Sequence, residues 1–199
     1  MSNDGMNPTR RKLIAATAGL GAVGTGFAAV PFVMSMTPSA RARAAGAPVE
    51  VDISKLAPGQ MLTVEWRGKP VWILNRTPEM LGLIKKTDEV VVDPKSEVAQ
   101  QPPYAQNDGR SIKDKYLVLV GICTHLGCVP LTKLQEGAVS GLGDDWTGGF
   151  FCPCHGSKFD LAGRVYKNVP APTNLVVPPH SYLSDSRIII GVDPEQGAV

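Results

Sequence analysis

All four cysteines of the 199-residue chain, and two of its three histidines, fall in two short segments. These are Cys123-Thr124-His125-Leu126-Gly127-Cys128 and Cys152-Pro153-Cys154-His155-Gly156-Ser157. Each offers a thiol and an imidazole two or three residues apart, within reach of a common metal. Such economy argues that the two segments form one site, so the fold has to bring two separate loops face to face. A strand-like run precedes each of them, Tyr116 to Ile122 and Gly148 to Phe151. Two loops at neighbouring strand ends meet that requirement.

The rest of the body reads the same way. Val49 to Ile53, Met61 to Trp66, Pro70 to Leu74 and Arg187 to Gly191 are alternating or β-branched runs, separated by turn signals such as Ala57-Pro58-Gly59 and Arg67-Gly68-Lys69. One helix is expected over Pro78 to Lys86, with Thr77 as N-cap and Pro78 at the first helical position. Asp93 to Asp114 and Lys133 to Thr147 are polar and expected as surface loops. Many short strands broken by Pro and Gly point to an all-β head, a small antiparallel sandwich or barrel. Trp66, Trp72 and Trp146 are expected in packing, and His180, after Pro178-Pro179, on the surface.

The N-terminus has a different character. From Leu13 to Met36 no residue is charged, a run of roughly 24 positions that as a helix spans ~36 Å, against the ~30 Å hydrocarbon core of a bilayer. Residues 1–12 are expected as a cytoplasmic N-terminus, 13–36 as a single transmembrane helix, 37–48 as a flexible tether and 49–199 as the exported body. The competing reading is a cleaved signal peptide, with small-residue sites around Ala40 to Ala44; against it, the apolar run exceeds an ordinary signal core. Arg10-Arg11 beside the apolar run resembles a twin-arginine export signal, which carries proteins already folded. The basic flank is expected to stay in the cytoplasm, which puts the body in a periplasm-like space where disulfides persist. A net charge of +2, with no basic patch, gives no reason to expect nucleic acid.

Six potential ligands exceed the four that zinc takes. A structural Cys₂His₂ or Cys₄ zinc site is the alternative, but it leaves two ligands idle in an exported protein. A [2Fe–2S] centre with two Cys on one iron and two His on the other uses four. It leaves two cysteines to join as a disulfide between the loops, which closes about 27 residues and adds ~3–4 kcal/mol in the chain-entropy picture.

The paired motifs C-T-H-L-G-C and C-P-C-H-G-S resemble those of Rieske iron–sulfur proteins in the cytochrome bc complexes (respiratory complex III). The likeness extends to the anchor, the tether and a Pro-rich segment at Val169-Pro170-Ala171-Pro172. It implies an all-β Rieske-type head, its cluster-binding part at about residues 121–172, plus one N-terminal transmembrane α-helix. It also implies one [2Fe–2S] cluster held by Cys123, His125, Cys152 and His155, with Cys128 and Cys154 as the bridge. Ser157 matches a serine that donates a hydrogen bond to a cluster sulfide. Pro170 matches a cover on the cluster, and Gly127 and Gly156 belong to the loop turns. Phe159 departs from the mitochondrial pattern, where a tyrosine often stands; if its lost hydrogen bond is worth ~1 kcal/mol, the potential falls by on the order of 40 mV.

By the same resemblance, His155 is the residue that contacts ubiquinol and takes an electron and a proton, with His125 secondary and Leu126 at the docking surface. The implied partners are cytochrome b and a c-type cytochrome, in a dimeric, membrane-anchored complex of the bacterial inner membrane with the cluster on the periplasmic side. The chain is then one subunit of a quinol–cytochrome-c reductase, inactive by itself. The alternative is a relay subunit similar to that of arsenite oxidase, a molybdenum enzyme, which needs no quinol contact.

Overall fold

The computed structural model describes residues 7–193; the first six residues and the last six of the expected 49–199 body lie outside the described residues. The chain forms two compact units, one ending at Ala44 and the other beginning at Ala45.

The first unit is helical. Helix α1, Pro8–Ser35, starts ahead of the apolar run because Asn7 caps it. The Asn7 side chain accepts the N–H groups of Thr9 (3.0 Å) and Arg10 (3.4 Å), and Pro8 occupies the first helical position, where no N–H is needed. Its 28 residues correspond to a length of ~42 Å. Thr17 and Thr25 return their hydroxyls to the carbonyls of Leu13 and Gly21, both at 2.8 Å, so these polar groups are satisfied inside the helix as a lipid environment requires. Its large apolar side chains, Leu13, Leu20, Phe27 and Phe32 among them, are all exposed. Segment 37–48, expected as a flexible tether, contains a second helix, α2, at Ala40–Ala45. Alanine has the highest helix propensity, and Ser39 Oγ accepts the N–H of Ala42 at 3.1 Å to start the turn.

The second unit is built on nine strands among the described residues: β1 Val49–Asp52, β2 Met61–Trp66, β3 Lys69–Asn75, β4 Tyr116–Val120, β5 Leu131–Lys133, β6 Gly149–Cys152, β7 Ser157–Phe159, β8 His180–Ser184 and β9 Arg187–Ile190. They pair antiparallel into three three-stranded sheets, β1-β9-β8, β2-β3-β4 and β5-β6-β7. Helix α3, Pro78–Lys86, follows β3, with the Thr77 side chain accepting the N–H of Met80 at 3.3 Å. A two-residue turn at Arg67-Gly68, both with positive φ, closes the β2–β3 hairpin with the primed geometry that matches strand twist.

Strands β3 and β4 carry uninterrupted apolar runs, Val71 to Leu74 and Leu117 to Val120, because both faces of those runs are covered. Val71, Ile73, Val118 and Val120 point to a core shared with Val51, Ile188 and Ile190 of the β1-β9-β8 sheet. Trp72, Leu74, Leu117 and Leu119 point the other way, to a second core shared with Phe150, Phe159, Leu161, Leu175, Cys123 and Cys152. The period-2 alternation of a strand thus distributes one sequence between two cores. The middle sheet thereby carries the cysteine-bearing layer on its back.

Two expectations fail here. Segment 93–114 is not a surface loop throughout: Ser96, Ala105, Arg110 and Ser111 are buried within it. A polar segment is tolerated inside because its groups find backbone partners, Arg110 reaching the carbonyls of Ala162, Gly163 and Leu175. His180 is not on the surface either. It is fully buried on β8, with Nδ1 2.8 Å from the Pro178 carbonyl and its ring edge-on to Tyr104. The neighbouring Ile188 and Ile190 draw its strand into the fold, which Pro178-Pro179 concealed.

Candidate metal centre

The first loop leaves β4 through Gly121, whose backbone lies against the Trp72 indole so closely that a Cβ would collide with the ring. Trp72 in turn stacks on Phe150 of β6 at 4.9 Å between centroids, tying the first loop's base to the second loop's strand. Beyond it the chain folds back on itself. The Cys123 N–H donates to the Cys128 carbonyl (2.8 Å) and the Gly127 N–H to the Cys123 carbonyl (3.1 Å), with Gly127 at φ 82°.

The second loop is the β6–β7 connection, with Cys152 and Ser157 paired across the hairpin. Its turn closes by a bond from the Gly156 N–H to the Cys152 carbonyl (2.9 Å), with φ 80° at Gly156. These two glycines stand where an L side chain is strained.

Four groups from the two loops converge. Cys123 and Cys152 are free and buried, each 2% exposed. The rings of His125 and His155 approach to 4.8 Å between centroids at 88°, His125 half-buried and His155 exposed. Cys128 and Cys154 are joined as a disulfide that spans the two loops. The sulfurs of Cys128, Cys152 and Cys154 also lie within 4.8 Å of one another, which by distance alone is a three-thiolate site. That grouping has no chemistry, since two of its sulfurs are consumed in the bridge. The available donors are two thiols and two imidazoles.

Burial pushes the Cys123 thiol up, and the Cys152 sulfur beside it pushes further, while the His125 backbone N–H and the Ser157 hydroxyl act against them. Two buried thiols facing each other are poorly placed as free thiolates. A metal centre that binds both removes that penalty, and two sulfurs with two imidazoles are the donor set of a [2Fe–2S] cluster with mixed ligation. The residues present fit such a group.

A third segment covers the loops. The Ala171 N–H donates to Ser157 Oγ (3.0 Å), and Thr124 Oγ1 donates to the Thr173 carbonyl (2.7 Å). The Val169 to Thr173 strap is therefore pinned to both loops, with Ala171 buried and Pro170 exposed. Ser157 is fully buried; having accepted the Ala171 N–H, its hydroxyl keeps its own proton to donate toward Cys123. Phe159 is buried on β7 opposite Phe150 and brings no hydroxyl to the site. At the tip, Leu126 is 70% exposed, and Val129 and Leu131, a few residues on, are exposed as well.

Thr124, Ala171 and three buried arginines, Arg76, Arg110 and Arg164, are parts of this assembly that the sequence reading did not single out. Thr124 had a signal, its place inside the first motif. The arginines had none, because a lone arginine reads as surface.

The N-terminal residues 1–39 match the family described as "Ubiquitinol-cytochrome C reductase Fe-S subunit TAT signal", and residues 48–179 match the family described as "Rieske [2Fe-2S] domain". The chain is 63% identical over 194 residues to the "Ubiquinol-cytochrome c reductase iron-sulfur subunit" of Allochromatium vinosum, covering 97% of this chain and 93% of that one. It is 43% identical over 187 residues to the protein of the same name from Bradyrhizobium diazoefficiens, covering 93% and 96%. Among solved structures, a chain described as "Hyperthermophilic respiratory Complex III" matches at 28% identity and a TM-score of 0.46, covering 87% of this chain and 97% of that chain.

Proposed function

Since the chain belongs to the Rieske iron–sulfur subunits of ubiquinol–cytochrome c reductase, we propose that it takes an electron and a proton from ubiquinol at cytochrome b and passes the electron to a c-type cytochrome. Cys123, His125, Cys152 and His155 would hold the [2Fe–2S] cluster, two through sulfur and two through imidazole nitrogen. The observation that carries this reading is the convergence of two free buried cysteines and two histidines on loops clamped by the Cys128–Cys154 bridge.

When bound, the cluster supplies a one-electron acceptor, more oxidising than an all-cysteine one because neutral imidazoles replace two thiolates. The chain's own residues do the rest. His155 is the exposed ring of the pair, and with one ring nitrogen on iron the other would accept the hydrogen bond and then the proton of the quinol. His125, half-buried, is the lesser contact. Leu126 at the tip, with Val129 and Leu131 exposed shortly after it in the chain, offers apolar side chains for packing on the partner that completes the quinol site. Half of that site belongs to cytochrome b, so the isolated chain does not turn over quinol.

Helix α1 is the membrane anchor. Arg10, Arg11 and Lys12 at its start favour the cytoplasmic side, which puts the cluster unit in the periplasm. The relatives' names favour this quinol-oxidising role over a molybdenum-enzyme relay.

The test is an EPR-monitored redox titration of the membrane-bound protein across pH, with and without an inhibitor of the quinol site. A high-potential signal that falls with rising pH and responds to the inhibitor is expected. A signal indifferent to the inhibitor would restore the relay reading.

A further inference from the structure

The chain carries no carboxylate from residue 5 to residue 49. Its cations in that stretch fall into two groups, Arg10, Arg11 and Lys12 at the start of α1, and Arg41 and Arg43 just beyond its end. The first group follows the rule that basic residues stay on the cytoplasmic side. The second goes against it, because an exported arginine beside the apolar run weakens the asymmetry that orients the anchor. Arg41 and Arg43 are both exposed, and among the described residues neither forms an ion pair. The next carboxylate along the chain, Glu50, is engaged by Arg187 at 2.7 Å.

The depth of this pair is set by the helix before it. With Lys12 at the inner boundary, ~20 residues of helix cross the ~30 Å hydrocarbon core, which brings the end of α1 at Ser35 to the outer headgroup layer. There the chain turns at once. The Thr37 N–H (3.1 Å) and hydroxyl (2.6 Å) both donate to the Met34 carbonyl, and α2 starts at Ala40. Arg43 Nη1 donates back to the Pro38 carbonyl (2.9 Å), so its guanidinium is held at the turn with most of its fork of donors still open. A guanidinium fork matches the oxygens of a phosphate, and phospholipid phosphates are what a bilayer presents at that depth.

We propose that Arg41 and Arg43 bind the phosphates of anionic phospholipids in the outer leaflet and hold the α1–α2 turn on the membrane surface, an inference that rests on α1 being the retained anchor. The pair makes residues 36–43 a membrane-seated foot, and free chain begins only beyond α2. Attraction to the lipid surface offsets the cost of exporting two charges next to the anchor. Each arginine near an anionic surface favours the seated state roughly fivefold, so the pair favours it ~30-fold. The effect fades as the Debye length falls from ~10 Å at ~0.1 M salt to ~3 Å at ~1 M.

The experiment reconstitutes the full chain in vesicles of phosphatidylcholine, alone or mixed with phosphatidylglycerol. Ala44→Cys, exposed on α2, carries a spin label whose protection from a water-soluble nickel chelate reports the seated state. The ratio of seated to free label is expected to rise ~30-fold with phosphatidylglycerol and to lose that gain at high salt. Arg41→Gln with Arg43→Gln is expected to abolish the gain, and Arg41→Lys with Arg43→Lys, which keeps the charge, to retain most of it. Equal protection in both vesicles would overturn the proposal. So would a gain that survives the double Gln change, since Arg10, Arg11 and Lys12 would then be its source. Protection gained in phosphatidylcholine on adding inorganic phosphate would make a free anion the ligand and overturn it too. A chain that floats with neither vesicle, or is cleaved ahead of the label, would remove the anchor reading itself and the proposal with it.

Discussion

Replacing Ser157 with alanine removes one oxygen that has two duties. The side chain is fully buried and accepts the Ala171 N–H at 3.0 Å, and its own proton is directed at Cys123. Without it, Ala171 keeps a buried N–H with no acceptor, which costs ~1–3 kcal/mol. For a chain of this size that lowers Tm by ~2–12 °C. The lost donor acts on the other observable. A hydrogen bond to a sulfur is stronger when the cluster carries the extra electron, and a difference of ~1 kcal/mol is ~0.7 of a tenfold step, or ~40 mV for one electron. Ser157→Ala is therefore expected to lower both Tm, measured calorimetrically on the holoprotein, and the midpoint, measured by EPR titration. An unchanged midpoint with the cluster intact would refute the donor role. An unchanged Tm would refute the strap.

Three further outcomes follow from the geometry. Asp160→Ala leaves Arg164 buried beside the half-exposed Asp88 alone, so a loss of ~3–5 kcal/mol is expected in thermal unfolding, and a loss near zero would contradict the pairing. His180 is buried with its pKa held down by desolvation, so the unfolded chain takes up its proton first as pH falls. Its contribution is constant above ~pH 6.5, is lost below that toward the depressed folded value at up to ~1.4 kcal/mol per pH unit, and should vanish from the Tm–pH profile of His180→Gln. Leu126→Ala, at an exposed tip, is expected to change stability by less than ~0.5 kcal/mol while slowing quinol oxidation in the assembled complex; equal turnover would remove Leu126 from the docking surface.

Strand β2 and helix α3 were legible because their signals are local. Leu62 to Trp66 alternates apolar and polar residues, and Thr77-Pro78 marks a helix start by itself. The two cysteine–histidine segments were legible for the same reason. Their convergence was inferred from economy of ligands, because no short-range pattern records which loops meet. What escaped is what depends on the tertiary environment. β8 is polar in composition and follows two prolines, so only its pairing with the isoleucines of β9 makes His180 a core residue. Arg76, Arg110 and Arg164 sit inside because carbonyls from segments 33 to 85 residues away are aimed at them, and nothing near them in sequence announces it. The helix at Ala40–Ala45 was overlooked because a six-residue alanine-rich stretch is short of the length at which periodicity can be read.

The measurement that bears most directly on the centre is pulsed EPR of the reduced, membrane-bound protein with histidine labelled by ¹⁵N. Electron-spin coupling to nitrogens of two histidines is expected, lost with the cluster signal in His125→Ala and in His155→Ala. A paramagnetic cluster without histidine nitrogen coupling, or a zinc-containing protein without the signal, would contradict the assignment of Cys123, His125, Cys152 and His155.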